Sequence, residues 1–233
     1  RETRGWAPGR KLYFAMRFSA PLTGHSFVDR DGAVTYKGFQ GPGRGSAALQ
    51  EKLGRALEAQ LDFGELTAPL EVKVALSGVD EAGALANLAA EPGTFDAIRT
   101  QTTAAWSKAL GAVEIEAPAP MRRSVYTALY HALLAPSVWS DADGRYRGPD
   151  DQVHLAKGFT FRSTFSLWDT YRALHPFFNI IQPKRNHDMV ESMMAHYDQS
   201  AEHMLPVWSH YANENWCMIG YHSVSVLADA IDK

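Results

Sequence analysis

Hydrophobic positions change their period part-way along the chain. Over residues 11–18, Leu12, Phe14, Met16 and Phe18 fall on one face and Lys11, Tyr13, Ala15 and Arg17 on the other. This is the period-2 pattern of a strand with one face buried. Residues 57–63 repeat it with Leu57, Ala59, Leu61 and Phe63, and residues 70–76 with Leu70, Val72, Val74 and Leu76. A weaker pair at 25–28 and 33–37 is joined by Asp31-Gly32, a hairpin dipeptide. Gly41-Pro42-Gly43-Arg44-Gly45-Ser46 lacks the lysine and the spacing of a phosphate-cradling loop and reads as a surface turn. Four or five strands within the first 77 residues predict part of an antiparallel β-sandwich.

After Ser77-Gly78 the spacing becomes three and four residues. A helix is predicted over 80–90, broken by Pro92-Gly93, and another follows through Phe95, Ile98, Thr102, Ala105, Trp106 and Ala109. Pro118 and Pro120 separate it from a helix that starts near Met121 and ends at Pro136. A long loop is expected over 137–160, then helices at 164–174, 186–200 and 214–230. Met189, Val190, Met193, Met194 and Tyr197 stripe the second of these, and Trp216, Ile219, Val224, Leu227 and Ala230 the last. Successive amphipathic helices with long connections describe an α/α array or toroid, and such loops are where a site is built.

Composition narrows the function. The 233 residues carry 23 Lys+Arg against 26 Asp+Glu, a formal charge of −3. No basic excess is available for a nucleic-acid backbone, so nucleic acid is not expected as a partner. The longest apolar stretches are too short to span a membrane. One cysteine, Cys217, excludes an internal disulfide framework, and inside the predicted last helix it reads as a buried structural thiol. Eight of nine histidines follow residue 130, and 16 of 26 aromatics lie at or beyond residue 121. The two parts of the chain therefore carry different chemistry. The histidines show no metal-ligand spacing, and His187, His196 and His203 are expected on solvent faces or loops. Asp141-Ala142-Asp143-Gly144 has its glycine too early for a calcium-binding EF-hand loop and reads as a turn.

The stretch richest in chemistry is Phe165-Ser166-Leu167-Trp168-Asp169-Thr170-Tyr171-Arg172. On one helix, Asp169 and Arg172 at i and i+3 would share a face. They read either as a surface ion pair, contributing about 1 kcal/mol at most, or as a polar clamp. In the clamp a carboxylate accepts and a guanidinium donates hydrogen bonds to vicinal hydroxyls. Trp168 and Tyr171 add flat apolar surfaces of the kind that stack on sugar rings.

Residues 165–176 resemble the FSLWDTYRAxHP signature of glycoside hydrolase family 92, the calcium-dependent exo-α-mannosidases. Tyr126–His131 is similar to that family's YTALYH helix, Asp143–Gly148 to its DGxYRG loop, Leu205–Trp208 to its LPxW segment, and Met218–His222 with Ala228–Ala230 to MIGYH and ADA. The resemblance implies an α+β multidomain fold: the end of an N-terminal β-sandwich over 1–78, a linker helix over 79–94, and the first helices of an incomplete (α/α)6 barrel over 95–233. It implies that Asp169 and Arg172 hold hydroxyls of a terminal mannose, with Trp168 and His222 lining the pocket. The family's general acid and base belong to segments absent from these 233 residues, so they are expected beyond Lys233 and the excerpt alone should not turn over. An inverting glycosidase needs both carboxyls.

The expectation is thus an internal piece of an inverting exo-α-mannosidase. It would act on terminal, often α-1,2-linked mannose of an oligosaccharide or glycoprotein glycan, with Ca2+ as cofactor and most ligands outside this stretch. A secreted, periplasmic or cell-surface bacterial location goes with such a substrate. The rivals are a non-catalytic carbohydrate-binding or scaffold protein using the same clamp, and a glycosidase of another α/α toroid family.

Overall fold

A computed structural model describes residues 6–30 and 56–232. The expected strand at 33–37 and the glycine-rich turn at 41–46 lie outside the described residues. The chain divides into two compact units, Arg17–Lys73 and the remainder, Arg1–Met16 with Val74–Lys233.

In the smaller unit β2 (Gly24–Asp29) pairs antiparallel with β3 (Leu57–Asp62), from Gly24 opposite Asp62 to Asp29 opposite Leu57. Phe18 and Phe63 meet edge to face with ring centroids 5.1 Å apart.

In the sheet formed by β1 (Tyr13–Phe18) and β4 (Val72–Ser77), the expected face is inverted. Phe14 and Met16 are 57% and 42% exposed, and Val74 and Leu76 likewise face outward. The covered face is Ala15, flanked by Tyr13 and Ala75, because Ala84 and Leu88 of α1 (Glu81–Ala90) pack against it. Small residues on the sheet let the helix approach closely; the larger apolar row is left uncovered. The Asp80 carboxylate caps α1 by accepting from Gly83 N at 2.6 Å and pairs with Arg145 at 3.0 Å.

Helices α2 (Phe95–Leu110) and α3 (Ala119–Ala132) follow as predicted. Pro120 lies inside the first turn of α3, where proline's missing N–H costs no hydrogen bond. The expected loop over 137–160 instead holds short ribbons. β5 (Ser137–Val138) pairs with β8 (Arg162–Ser163), and β6 (Arg145–Arg147) with β7 (Val153–Leu155). The Asp141–Gly144 stretch is the turn before β6, closed by Gly144 N to Asp141 O at 2.9 Å.

The helix expected at 164–174 is two pieces, the single turn α4 (Leu167–Thr170) and α5 (Leu174–Ile181). Its first residues are held straight: Phe165 N and Leu167 N donate to Ser209 O and Val207 O. Helix α6 (Pro183–Gln199) buries part of the predicted stripe: Met189 and Met193 are fully buried, while Met194 and Tyr197 are exposed. The last helix, α7 (Ser223–Ile231), starts nine residues late. In place of its first turns stand the end of β10 (Asn213–Glu214), which pairs with β9 (Ser209–His210), and an irregular stretch with positive φ at Trp216 and Gly220. Cys217 accordingly lies outside any helix and is exposed, not buried. His196, expected near solvent, is 3% exposed. One core of Leu129, Leu133, Phe165, Leu167, Phe178, Met189, Met193, Leu205 and Val226 joins α3 to α7. Mixed helices and antiparallel strand pairs are the observed class.

Candidate functional site

Alternation builds the site's first wall. Phe165 and Leu167 point into the core, at 2% and 0% exposure, and their amides are fixed by the 207–209 backbone. The chain then turns once, with Asp169 N and Thr170 N donating to Ser166 O at 3.0 and 3.1 Å, which leaves Trp168 and Asp169 at the surface. Arg172 lies beyond that turn, so Asp169 and Arg172 do not share a helix, and among the described residues no ion pair joins them. The two side chains therefore do not form the surface pair, and Arg172 turns instead to Tyr171.

Tyr171 links the predicted residues. Arg172 Nε donates to its hydroxyl at 3.0 Å, and the guanidinium lies 5.3 Å from its ring centroid. On Tyr171 rests His222, ring centroids 4.2 Å apart and planes within 10°. The His222 Nε2 atom is buried and, among the described residues, has no hydrogen-bond partner. Gly220, at φ +93°, makes room for that ring, since a Cβ there would stand 2.6 Å from Nε2. Arg172 and His222, fifty residues apart in sequence, thus meet through one aromatic ring, and Trp168 and Asp169 occupy the preceding turn.

The 207–216 loop presents further aromatics, among them Trp208 of the LPxW segment. Trp208 Nε1 donates to His210 Nε2 at 3.0 Å, and Trp6 stacks on Trp208 with centroids 6.5 Å apart. Burial pushes His210 down, outweighing the upward pull of Glu214. The Glu214 carboxylate holds this loop together by accepting from the backbone amides of Val207, Trp208, Asn215 and Trp216 at 2.8–3.2 Å. Nothing in the local letters Asn213-Glu214-Asn215 announces that role. Beside the loop lies a cleft of about 510 Å³ lined in part by Asp150, His196, Gln199, Glu202, Glu214 and Trp216. His196 is pushed down to about 4 by burial and the nearby Arg10 charge, so it is neutral at pH 7.

Among the described residues no three His, Cys, Asp or Glu side chains converge as a metal cage. The acidic turn is already engaged: Asp141 accepts from Ser77 Oγ and Asn87 Nδ2, and Asp143 pairs with Arg145. Those residues do not fit a calcium ion, which takes six to eight oxygen ligands.

Residues 83–233 match the profile of the glycosyl hydrolase family 92 catalytic domain. The chain belongs to glycosyl hydrolase family 92. A family 92 α-mannosidase from Bacteroides thetaiotaomicron superposes with a TM-score of 0.85 at 44% identity, over 97% of this chain and 30% of that one. The same enzyme in complex with mannoimidazole matches equally. A family 92 inverting mannosidase from B. thetaiotaomicron VPI-5482 matches at 0.76 and 25% identity, over 95% of this chain and 29% of that one. The family 92 chain described here therefore spans about a third of the length of these solved relatives. No curated protein matched it.

Proposed function

We propose that this family 92 chain is part of an inverting, exo-acting α-mannosidase that removes terminal α-mannose, α-1,2-linked in particular, from glycans. The observation that carries the reading is the 44% identity, over 97% of the chain, to an α-mannosidase also solved with mannoimidazole. In this reading Asp169 accepts and Arg172 donates hydrogen bonds to ring hydroxyls, Trp168 covers an apolar sugar face, and His222 lines the pocket. Tyr171 keeps the guanidinium and the imidazole in place. The clamp binds and orients. The general acid and base of an inverting hydrolysis are two further carboxyls, about 6.5–9.5 Å apart, and are assigned to no residue of this chain.

The domain reading stays with it: sandwich to residue 78, linker helix 79–94, barrel helices from 95. The uncovered row Phe14, Met16, Val74 and Leu76 is what one sheet of a sandwich offers to a second sheet. Calcium enters through the family resemblance, with most of its ligands expected outside this stretch. Among those residues no helix is long and apolar enough to cross a membrane. A secreted or periplasmic location is proposed from the substrate alone.

The test is hydrolysis of α-1,2-mannobiose by the protein carrying this chain, with calcium and then with a chelator. β-Mannose as first product and loss of activity on chelation are expected. α-Mannose as first product, or no hydrolysis, overturns the reading. Asp169→Ala should lower kcat/KM on the order of a hundredfold, the loss of a charged hydrogen-bond partner to the sugar. Unchanged efficiency would remove Asp169 from the clamp.

A further inference from the structure

A chain of side-chain hydrogen bonds runs across the three helices α5, α6 and α7. His175, 1% exposed on α5, faces Asn186 Oδ1 at 3.1 Å. Asn186, 1% exposed on α6, donates from Nδ2 to Asn179 Oδ1 at 2.5 Å. Asn179 in turn donates from Nδ2 to Asp229 Oδ2 on α7 at 2.7 Å. Because both amides spend their N–H groups in the same direction, the Asn186 oxygen is an acceptor and His175 must carry its proton on Nδ1. All donors point toward the Asp229 carboxylate, so each bond polarises the next.

The register of this chain matters for the site. Tyr171 stands eight residues before Asn179, and His222 seven before Asp229. The second interval is about two turns of α7, or roughly 11 Å; the first begins three residues ahead of α5 and crosses the bend at Ala173. Helices α5 and α7 are cross-linked by the carboxylate–amide bond, and the chain leading into α5 is tied to the N-cap of α7 by the aromatic stack. A hydrophobic interface tolerates a small slide of one helix along the other; a directional bond to a charged acceptor does not.

We infer that Asn179 and Asp229, backed by the His175–Asn186 pair, are positioning residues for the sugar clamp: they set the register of α7 on α5 and so hold His222 flat on Tyr171 and Tyr171 under Arg172. The inference rests on the mannoside reading of that clamp. None of these four residues touches the substrate in this account.

The experiment uses the protein carrying this chain, mannoimidazole titration calorimetry, and spectra of 13C-labelled histidine with the His222 signal assigned by His222→Gln. In Asp229→Leu the His222 signal should lose the ring-current shift of Tyr171. Mannoimidazole binding should weaken roughly ten- to a hundredfold, as a misplaced contact does. Asp229→Asn keeps an acceptor for Asn179 and should retain both signal and affinity. A folded Asp229→Leu with unmoved His222 signal and unchanged affinity overturns the inference. So does an Asp229→Asn protein that is folded yet as defective as Asp229→Leu, since charge and not register would then be at work. Should Asp229→Leu fail to fold, Asn179→Ser, which cannot reach Asp229, is judged by the same two readouts. If the wild-type protein binds no mannoimidazole, the mannoside reading fails, and the His222 signal still decides the register clamp.

Discussion

Removing the Glu214 carboxylate should loosen one defined loop. Its two oxygens take four backbone amides, and those amides differ in what they can do without it. Val207 is 6% exposed, so its N–H cannot turn to water and would be stranded. A stranded buried donor costs about 1–3 kcal/mol, and bonds to a charged acceptor are worth about 1.5–3 each. Trp208 and Asn215 are half-buried and recover part of the loss from solvent; exposed Trp216 recovers nearly all. Glu214→Ala should therefore cost about 3–4 kcal/mol. Glu214→Gln should cost at least about 2 kcal/mol, because both oxygens face donors and either amide orientation sets N–H against N–H. Denaturant unfolding of the protein carrying this chain measures the loss, and hydrogen exchange should quicken at 207, 208, 215 and 216. A Glu214→Gln variant within about 0.5 kcal/mol of wild type, with exchange unchanged at those amides, would refute the argument.

Three further outcomes follow from burial. The folded state holds His196 near pKa 4 against 6.5 unfolded, so below about pH 6.5 the unfolded chain binds a proton that the folded one refuses. Stability is full above about pH 6.5 and should fall by about 3 kcal/mol as pH drops toward 4; unfolding curves of His196→Met against pH should be flatter over that window. Phe178→Ala empties a fully buried position in the main core and removes the ring beneath the Arg185 guanidinium, costing about 3–5 kcal/mol by denaturant titration. Gly83→Ala would ordinarily gain about 1 kcal/mol in a helix. Here the new methyl runs into the Asp141 carboxylate and comes within 2.7 Å of Ser77 Oγ, so a net loss of about 1–3 kcal/mol in unfolding free energy is expected.

Much of the chain's organisation is legible in its letters. The period-2 runs mark β1, β3 and β4, and the change to three-and-four spacing after Gly78 marks α1 and α2 within a residue or two and the start of α3, which ends at Ala132, short of Pro136. Those elements are legible because period and capping are local: Asp80 and Thr94 stand where the caps fall. The long collinear motifs from Tyr126 to Ala230 carry the family, and Trp168, Asp169, Arg172 and His222 came from them.

Tertiary structure decided what the period could not. Alternation says that a strand has two faces but not which one a neighbour covers; α1 chose Ala15 over Phe14 and Met16 because small residues admit a helix. The helical stripes at 164–174 and 214–230 are genuine in sequence. They are overridden because Phe165 and Leu167 are tied to the backbone of Ser209 and Val207, and Glu214 folds its own stretch back onto the amides of Val207, Trp208, Asn215 and Trp216. The same long-range bonds bring Arg172 to His222 across Tyr171, and Asn179 to Asp229. Local sequence marked the residues proposed to grip a sugar. Hydrogen bonds between segments some forty to fifty residues apart decided which of them share a surface.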